Sequence, residues 1–130
     1  MLFRSSRTTV TLAPAGVTAR FVLVANLSPW TYLGARPIDP QPRAVADQAL
    51  TVYAPTRATL GSLTRLGAAL LTSSDLARLP SVWTSSDLPR LELYCDTPLW
   101  LQADGEVLGQ VTQVAFDHVR AALTVVCGKC

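Results

Sequence analysis

Charge is scarce in this 130-residue chain: Asp, Glu, Lys and Arg together make up 15% of it, against about a quarter in ordinary globular domains. Lys129 is the sole lysine, so the positive charge is almost all arginine. That pattern reads as coding bias rather than as a phosphate-binding specialisation. The formal net charge of +2 supplies no strongly basic face, and the aromatic residues do not alternate with basic runs, which excludes ordinary nucleic-acid binding. Three cysteines, Cys95, Cys127 and Cys130, do not make a disulfide framework. No apolar run reaches the ~20 residues of a membrane-spanning helix. Met1 to Arg7 lacks the apolar stretch and small-residue cleavage site of a secretory signal. A cytoplasmic location is expected, with peripheral membrane contact.

Two catalytic signatures are also missing: the GxxxxGK[ST] phosphate loop and the GxSxG nucleophile elbow. His118 has no neighbouring nucleophile and reads as a residue near a strand end. Cys127-Gly128-Lys129-Cys130 has redox or zinc spacing, with His118 imaginable as a further ligand. The pair sits where chains usually fray, with no helix following it as a thioredoxin-type site needs.

Hydrophobic residues, at 49% of the chain, exclude disorder and support a core of one domain over residues 1–130. So apolar a composition also implies surface that a partner domain or lipid covers. Thr8 to Leu12 alternates as a strand does. Thr18 to Leu27 is a near-continuous apolar run and reads as a strand buried on both faces. Ser28 to Val45, with four prolines and one glycine, reads as a long ordered loop, a kind that usually carries function. Gln48 to Ala54 is a further strand.

Pro55-Thr56 opens a helix with Thr56 as its cap, and Leu60, Leu63, Gly67, Leu70 and Leu71 form its core-facing stripe. Ser74 to Leu79 adds a short helical turn. Strands follow at Val82 to Thr84, Arg90 to Cys95, Leu99 to Ala103, Val107 to Leu108, Val111 to Phe116 and Ala122 to Val126. Their alternation gives sheets with one wet face. The expected fold is mainly β (α+β): a β-sandwich with one main helix.

Leu99 to Gly109 holds the chain's sharpest chemical signal. Asp104-Gly105 between apolar runs marks a two-residue hairpin turn, because both positions must tolerate positive φ. Such a turn presents Asp104 and Glu106 at a rigid corner, where a carboxylate can serve as a general base for an alcohol. The plain alternative is a solvated turn.

Four segments carry a resemblance in their order and spacing: Val22-Leu23-Val24-Ala25-Asn26; Ser28-Pro29-Trp30-Thr31-Tyr32-Leu33-Gly34; Pro42-Arg43-Ala44-Val45-Ala46-Asp47-Gln48-Ala49-Leu50; and Leu101-Gln102-Ala103-Asp104-Gly105-Glu106. Together they resemble the C-terminal half of bacterial diacylglycerol kinases, soluble lipid kinases related to sphingosine kinases and more distantly to NAD kinases. The resemblance spans about Thr18 to Val126 and implies the C-terminal β-sandwich domain of a two-domain lipid kinase. In that family an N-terminal domain binds ATP through a Gly-Gly-Asp-Gly-Thr loop that this sequence does not contain. The chain is therefore expected to be the second half only, inactive alone.

Carried over by residue, the resemblance makes Glu106 the general base with Asp104 beside it, and makes Asn26, Tyr32 and Gly34 substrate-binding. It makes Asp47, with the backbone carbonyls of Ala44 and Ala49, a Mg2+ site. The implied partners are an ATP-binding domain or chain and a lipid alcohol. Arg43 stands where the family usually has an acid, and Gln48 where it has glycine, so Asp47 also reads as a solvated loop residue. The rival to the kinase half is a non-catalytic sandwich that binds lipid or protein, or a remnant.

Overall fold

A computed structural model describes residues 9–13, 15–26, 31–38, 49–57, 59–72 and 78–120. It is mainly β with one helix: β1 Val10–Ala13, β2 Val17–Ala19, β3 Leu23–Ala25, β4 Thr31–Leu33, β5 Arg36–Ile38, β6 Leu50–Pro55, α1 Leu60–Leu71, β7 Val82–Leu88, β8 Arg90–Ala103 and β9 Glu106–Asp117. One antiparallel sheet has the order β2-β1-β8-β9, a second the order β3-β6-β7, and β4 and β5 pair as a separate ribbon.

The strand period of two decides what meets in the core. On β1, Val10 and Leu12 are buried and Thr11 is exposed; on β8, Leu91 and Leu93 are buried and Tyr94 is exposed. These inward side chains, with Ala19, cluster with Leu50, Val52 and Ala54 of β6. The two sheets thus share one apolar core. Leu12 and Val52, both 0% exposed, lie at its centre.

β6 is the strand buried on both faces. Leu50, Val52 and Ala54 belong to the shared core, while Tyr53 packs with Leu66 and Ala69 of α1. Leu23, Leu79 and Val82 close that second cluster. The helix therefore covers the outer side of the β3-β6-β7 sheet.

Thr18 to Leu27 is not one doubly buried strand. It breaks at exposed Arg20 and Phe21 into β2 and β3, which join different sheets. The Arg20 amide donates to the Pro55 carbonyl at 2.9 Å, tying down the crossing. Nor is Ser28 to Val45 all loop, since β4 and β5 form a hairpin within it. Gly34, at φ +63°, supplies the positive dihedral that its Gly34-Ala35 turn demands.

The helix begins at Leu60, not after Pro55. Thr59 caps it: its hydroxyl oxygen accepts the Ser62 amide at 3.2 Å, and its carbonyl accepts the Leu63 amide at 3.0 Å. Thr56 instead donates its hydroxyl to the Ser81 carbonyl at 3.1 Å. The leucine stripe shifts as well. Leu66 and Ala69 are buried, Leu63 and Gly67 are half-buried, and Leu60 and Leu71 are exposed.

Downstream, expected short strands fuse. Arg90 to Cys95 and Leu99 to Ala103 are both β8, and Val107 to Leu108 and Val111 to Phe116 are both β9. Register shifts between Tyr94 and Leu99 and between Leu101 and Gln102 absorb the breaks in side-chain alternation. The strand expected at 122–126 and most of the short helix expected at 74–79 lie outside the described residues.

Candidate functional site

β8 and β9 form a long ribbon whose far corner is Asp104-Gly105. Ala103 pairs with Glu106, leaving two residues in the turn. Asp104 has φ +48° and Gly105 +85°. Positive φ at both central positions gives the turn that matches the right-handed twist of its strands. Glycine adopts it freely, and aspartate is among the few side chains that tolerate it.

Asp104 and Glu106 are both exposed at this corner. The ribbon behind them is apolar yet uncovered. Trp100 is 52% exposed, and Val107 and Leu108 are exposed too. The register steps from Leu101↔Gly109 to Gln102↔Val107, leaving Leu108 as the extra residue of a bulge. Gly109, at φ +129°, accommodates the bend. A carboxylate here is carried on paired strands and is reachable from solvent. Its chemistry as a proton acceptor needs a hydroxyl brought within about 2.6–3.2 Å.

The other expected site residues sit at different turns. Asn26 is exposed just past β3, Tyr32 lies in β4, and Gly34 lies in the β4–β5 turn. Asp104 and Glu106 share one corner because they stand two residues apart, on either side of Gly105. Of the residues implied for Mg2+, Asp47 and Ala44 lie outside the described residues, as do Arg43 and Gln48. Ala49 is described, and its amide donates to Asp87 Oδ1 at 3.1 Å. No group of three or more His, Cys, Asp or Glu side chains placed to hold a metal occurs among the described residues. Cys127 and Cys130 lie outside them, and the His118 backbone amide donates to the Pro89 carbonyl at 2.9 Å.

Two polar features escaped the sequence reading. Asp87 has φ +59° within β7, opposite the irregular pairing between Leu50 and Val52. Its carboxylate clamps the Ala49 amide where the chain enters β6. The signal available was weak: an aspartate is one of the few non-glycine residues at home in that conformation. The second feature is a ladder on the wet face of β8 and β9. Arg90 bonds Glu92 Oε1 through Nη2 at 2.8 Å and Asp117 Oδ1 through Nη1 at 2.8 Å. Tyr94 donates its hydroxyl to Glu92 Oε2 at 2.7 Å.

These contacts shift the groups in definite directions. The Tyr94 hydroxyl, then Arg90, hold the Glu92 carboxyl below its usual range. The Glu92 hydrogen bond raises the Tyr94 phenol. The hydrogen bonds that Arg90 donates to Glu92 and Asp117 raise its guanidinium further. The Thr9 amide holds Asp96 low, and its hydroxyl adds to the effect. Burial pushes the Cys95 thiol up, so it is a poor nucleophile.

Set against known proteins, the chain matches no family model, no curated protein and no solved structure.

Proposed function

We propose that the chain is the substrate-side half of an ATP-dependent diacylglycerol or related lipid kinase: a C-terminal β-sandwich domain that supplies the base. The observation that carries this reading is the Ala103–Glu106 corner, where a positive-φ Asp-Gly turn holds two exposed carboxylates on paired strands. The order of the four sequence segments that resemble bacterial diacylglycerol kinases supports it.

In this reading Glu106 accepts the proton of the lipid hydroxyl as its oxygen bonds to the γ-phosphorus of ATP, and ADP leaves with the broken phosphoanhydride oxygen. Phosphoryl transfer asks little of the protein beyond positioning and charge stabilisation. Asp104 sits in the same turn, two residues before Glu106. Asn26, Tyr32 and Gly34 border the lipid. ATP is held by a separate glycine-rich domain or chain. Asp47, with the carbonyls of Ala44 and Ala49, would hold Mg2+, since a hard-oxygen set suits such an ion. The protein works in the cytoplasm at a membrane surface.

The test is reconstitution. The chain is assayed with ATP and diacylglycerol in detergent micelles, alone and with an ATP-binding domain from the kinase family. No turnover alone and clear turnover in the mixture is the expected result. A mixture as inert as the chain alone, despite binding between the two, overturns the reading.

A second reading is a non-catalytic sandwich that binds lipid or protein. The uncovered Trp100, Val107 and Leu108 favour it, since exposed apolar side chains gathered on one ribbon mark an interaction surface. In that case the mixture binds but does not turn over.

A further inference from the structure

The solvent side of α1 is unlike that of an ordinary surface helix. Leu66 and Ala69 face the sheet. At 3.6 residues per turn, Leu60, Thr64, Ala68 and Leu71 fall within about 80° of one another on the other side. All four are exposed, Leu60 at 80% and Leu71 at 51%. The helix has no acidic residue, and Arg65 is its only charge. A helix with an apolar stripe toward the core and a second toward solvent normally has that second face covered.

The charge around it is one-sided. Arg57 precedes the helix, with its carbonyl accepting the Ser62 hydroxyl at 3.0 Å, and Arg78 follows it, next to Leu79 of the cluster beneath. Arg57, Arg65 and Arg78 are all exposed, and the ion pairs among the described residues involve Arg90 instead. Between Ala49 and Ser86 the sequence has one acid, Asp75. The following stretch to Arg120 holds Asp87, Glu92, Asp96, Asp104, Glu106 and Asp117 against Arg90 and Arg120. The helix layer is therefore basic and the long ribbon acidic. The Arg20–Pro55 backbone bond sets exposed Phe21 at the corner from which the chain runs to Arg57.

We propose that this face of α1 seats on an anionic lipid surface, with Leu60 and Leu71 entering the headgroup boundary and Arg57, Arg65 and Arg78 meeting lipid phosphates. An in-plane helix with apolar side chains below and arginines around them is the arrangement that binds such surfaces. At 12 residues it lies on a bilayer rather than crossing it. The acidic ribbon is repelled by the same surface, which favours the helix side as the one that docks. This inference does not rest on the kinase reading; a non-catalytic chain would dock in the same way.

The full chain is sedimented with phosphatidylcholine vesicles and with vesicles of phosphatidylcholine and phosphatidylglycerol. Binding to the anionic vesicles alone, weakened by high salt, is expected. Arg65→Gln lowers that affinity about fivefold, the factor for roughly 1 kcal/mol per basic residue near an anionic surface. Leu60→Ser with Leu71→Ser abolishes it at moderate salt, while the melting temperature, read in parallel, stays put because both side chains are exposed. Equal binding to both vesicles, no binding to either, or binding untouched by these variants overturns the proposal. A dimer in solution that the Leu60 and Leu71 changes dissolve, without vesicle binding, gives the face to a second copy of the chain and overturns it too.

Discussion

Asp87 and Ala49, 38 residues apart in sequence, are joined by a hydrogen bond of 3.1 Å from the Ala49 amide to Asp87 Oδ1. The bond anchors the first residues of the central β6 strand to a backbone kink in β7, where Asp87 holds φ +59°. Conformations of this kind cost free energy and persist where the surroundings fix them.

Asp87→Asn keeps both the acceptor oxygen and the tolerance of positive φ, so its stability should match the parent. Asp87→Ala loses both and should cost about 1–3 kcal/mol. Urea denaturation of the two variants checks the contrast.

Thr59 and Thr56 offer a similar discrimination. Thr59→Ala removes the oxygen that accepts the Ser62 amide and should cost about 1 kcal/mol, the usual value of an N-cap. Helical circular dichroism through a melt reads the effect. Thr56→Ala should leave the helix start unchanged, because the Thr56 hydroxyl bonds the Ser81 carbonyl instead.

Acid should loosen the sheet at identifiable points. Asp96 and Glu92 both hold folded-state carboxyls below the ordinary range, Asp96 through the Thr9 amide and Glu92 through Tyr94 and then Arg90. A carboxyl depressed by folding stabilises fully above its unfolded value, about 3.9–4.3. That contribution is lost as pH falls through the lower folded value. Stability measured against pH should therefore decline below about pH 4, and Asp96→Asn should flatten part of that decline. Asp96 is exposed and Glu92 half-buried, both within reach of solvent, so salt should shrink the effect.

How far the fold was legible depended on whether side-chain chemistry determines the local backbone. Asp104-Gly105 was legible because few residue pairs allow two successive positive φ values, and the turn lies where the dipeptide puts it. The Arg20–Val22 crossing was not, since an apolar run says where side chains go, not where the backbone leaves one sheet for another. β4 and β5 were hidden by Pro37, which suits an edge strand as well as a loop. The sequence leaves the helix start open because Thr56 and Thr59 are equally good caps in isolation, and Thr59, whose hydroxyl accepts the Ser62 amide, is the one used. Of the candidate site, the turn that carries Asp104 and precedes Glu106 is what local sequence determines. Asp87 did not, because its partner comes from a distant strand. The residues named for Mg2+ other than Ala49, and the terminal cysteines, lie outside the described residues.

The central proposal is that the carboxylate of Glu106 removes a proton from a lipid alcohol. The direct measurement is the rate of ATP-dependent diacylglycerol phosphorylation by the chain joined with an ATP-binding kinase domain, compared with Glu106→Gln and Asp104→Asn under the same conditions. Both substitutions preserve the hairpin, since Asn-Gly makes the same turn and Glu106 lies outside its two central positions. Glu106→Gln should lower the rate by about 10²–10⁴, the range for loss of a general base, and Asp104→Asn by far less. A Glu106→Gln assembly that turns over as fast as the parent contradicts the account.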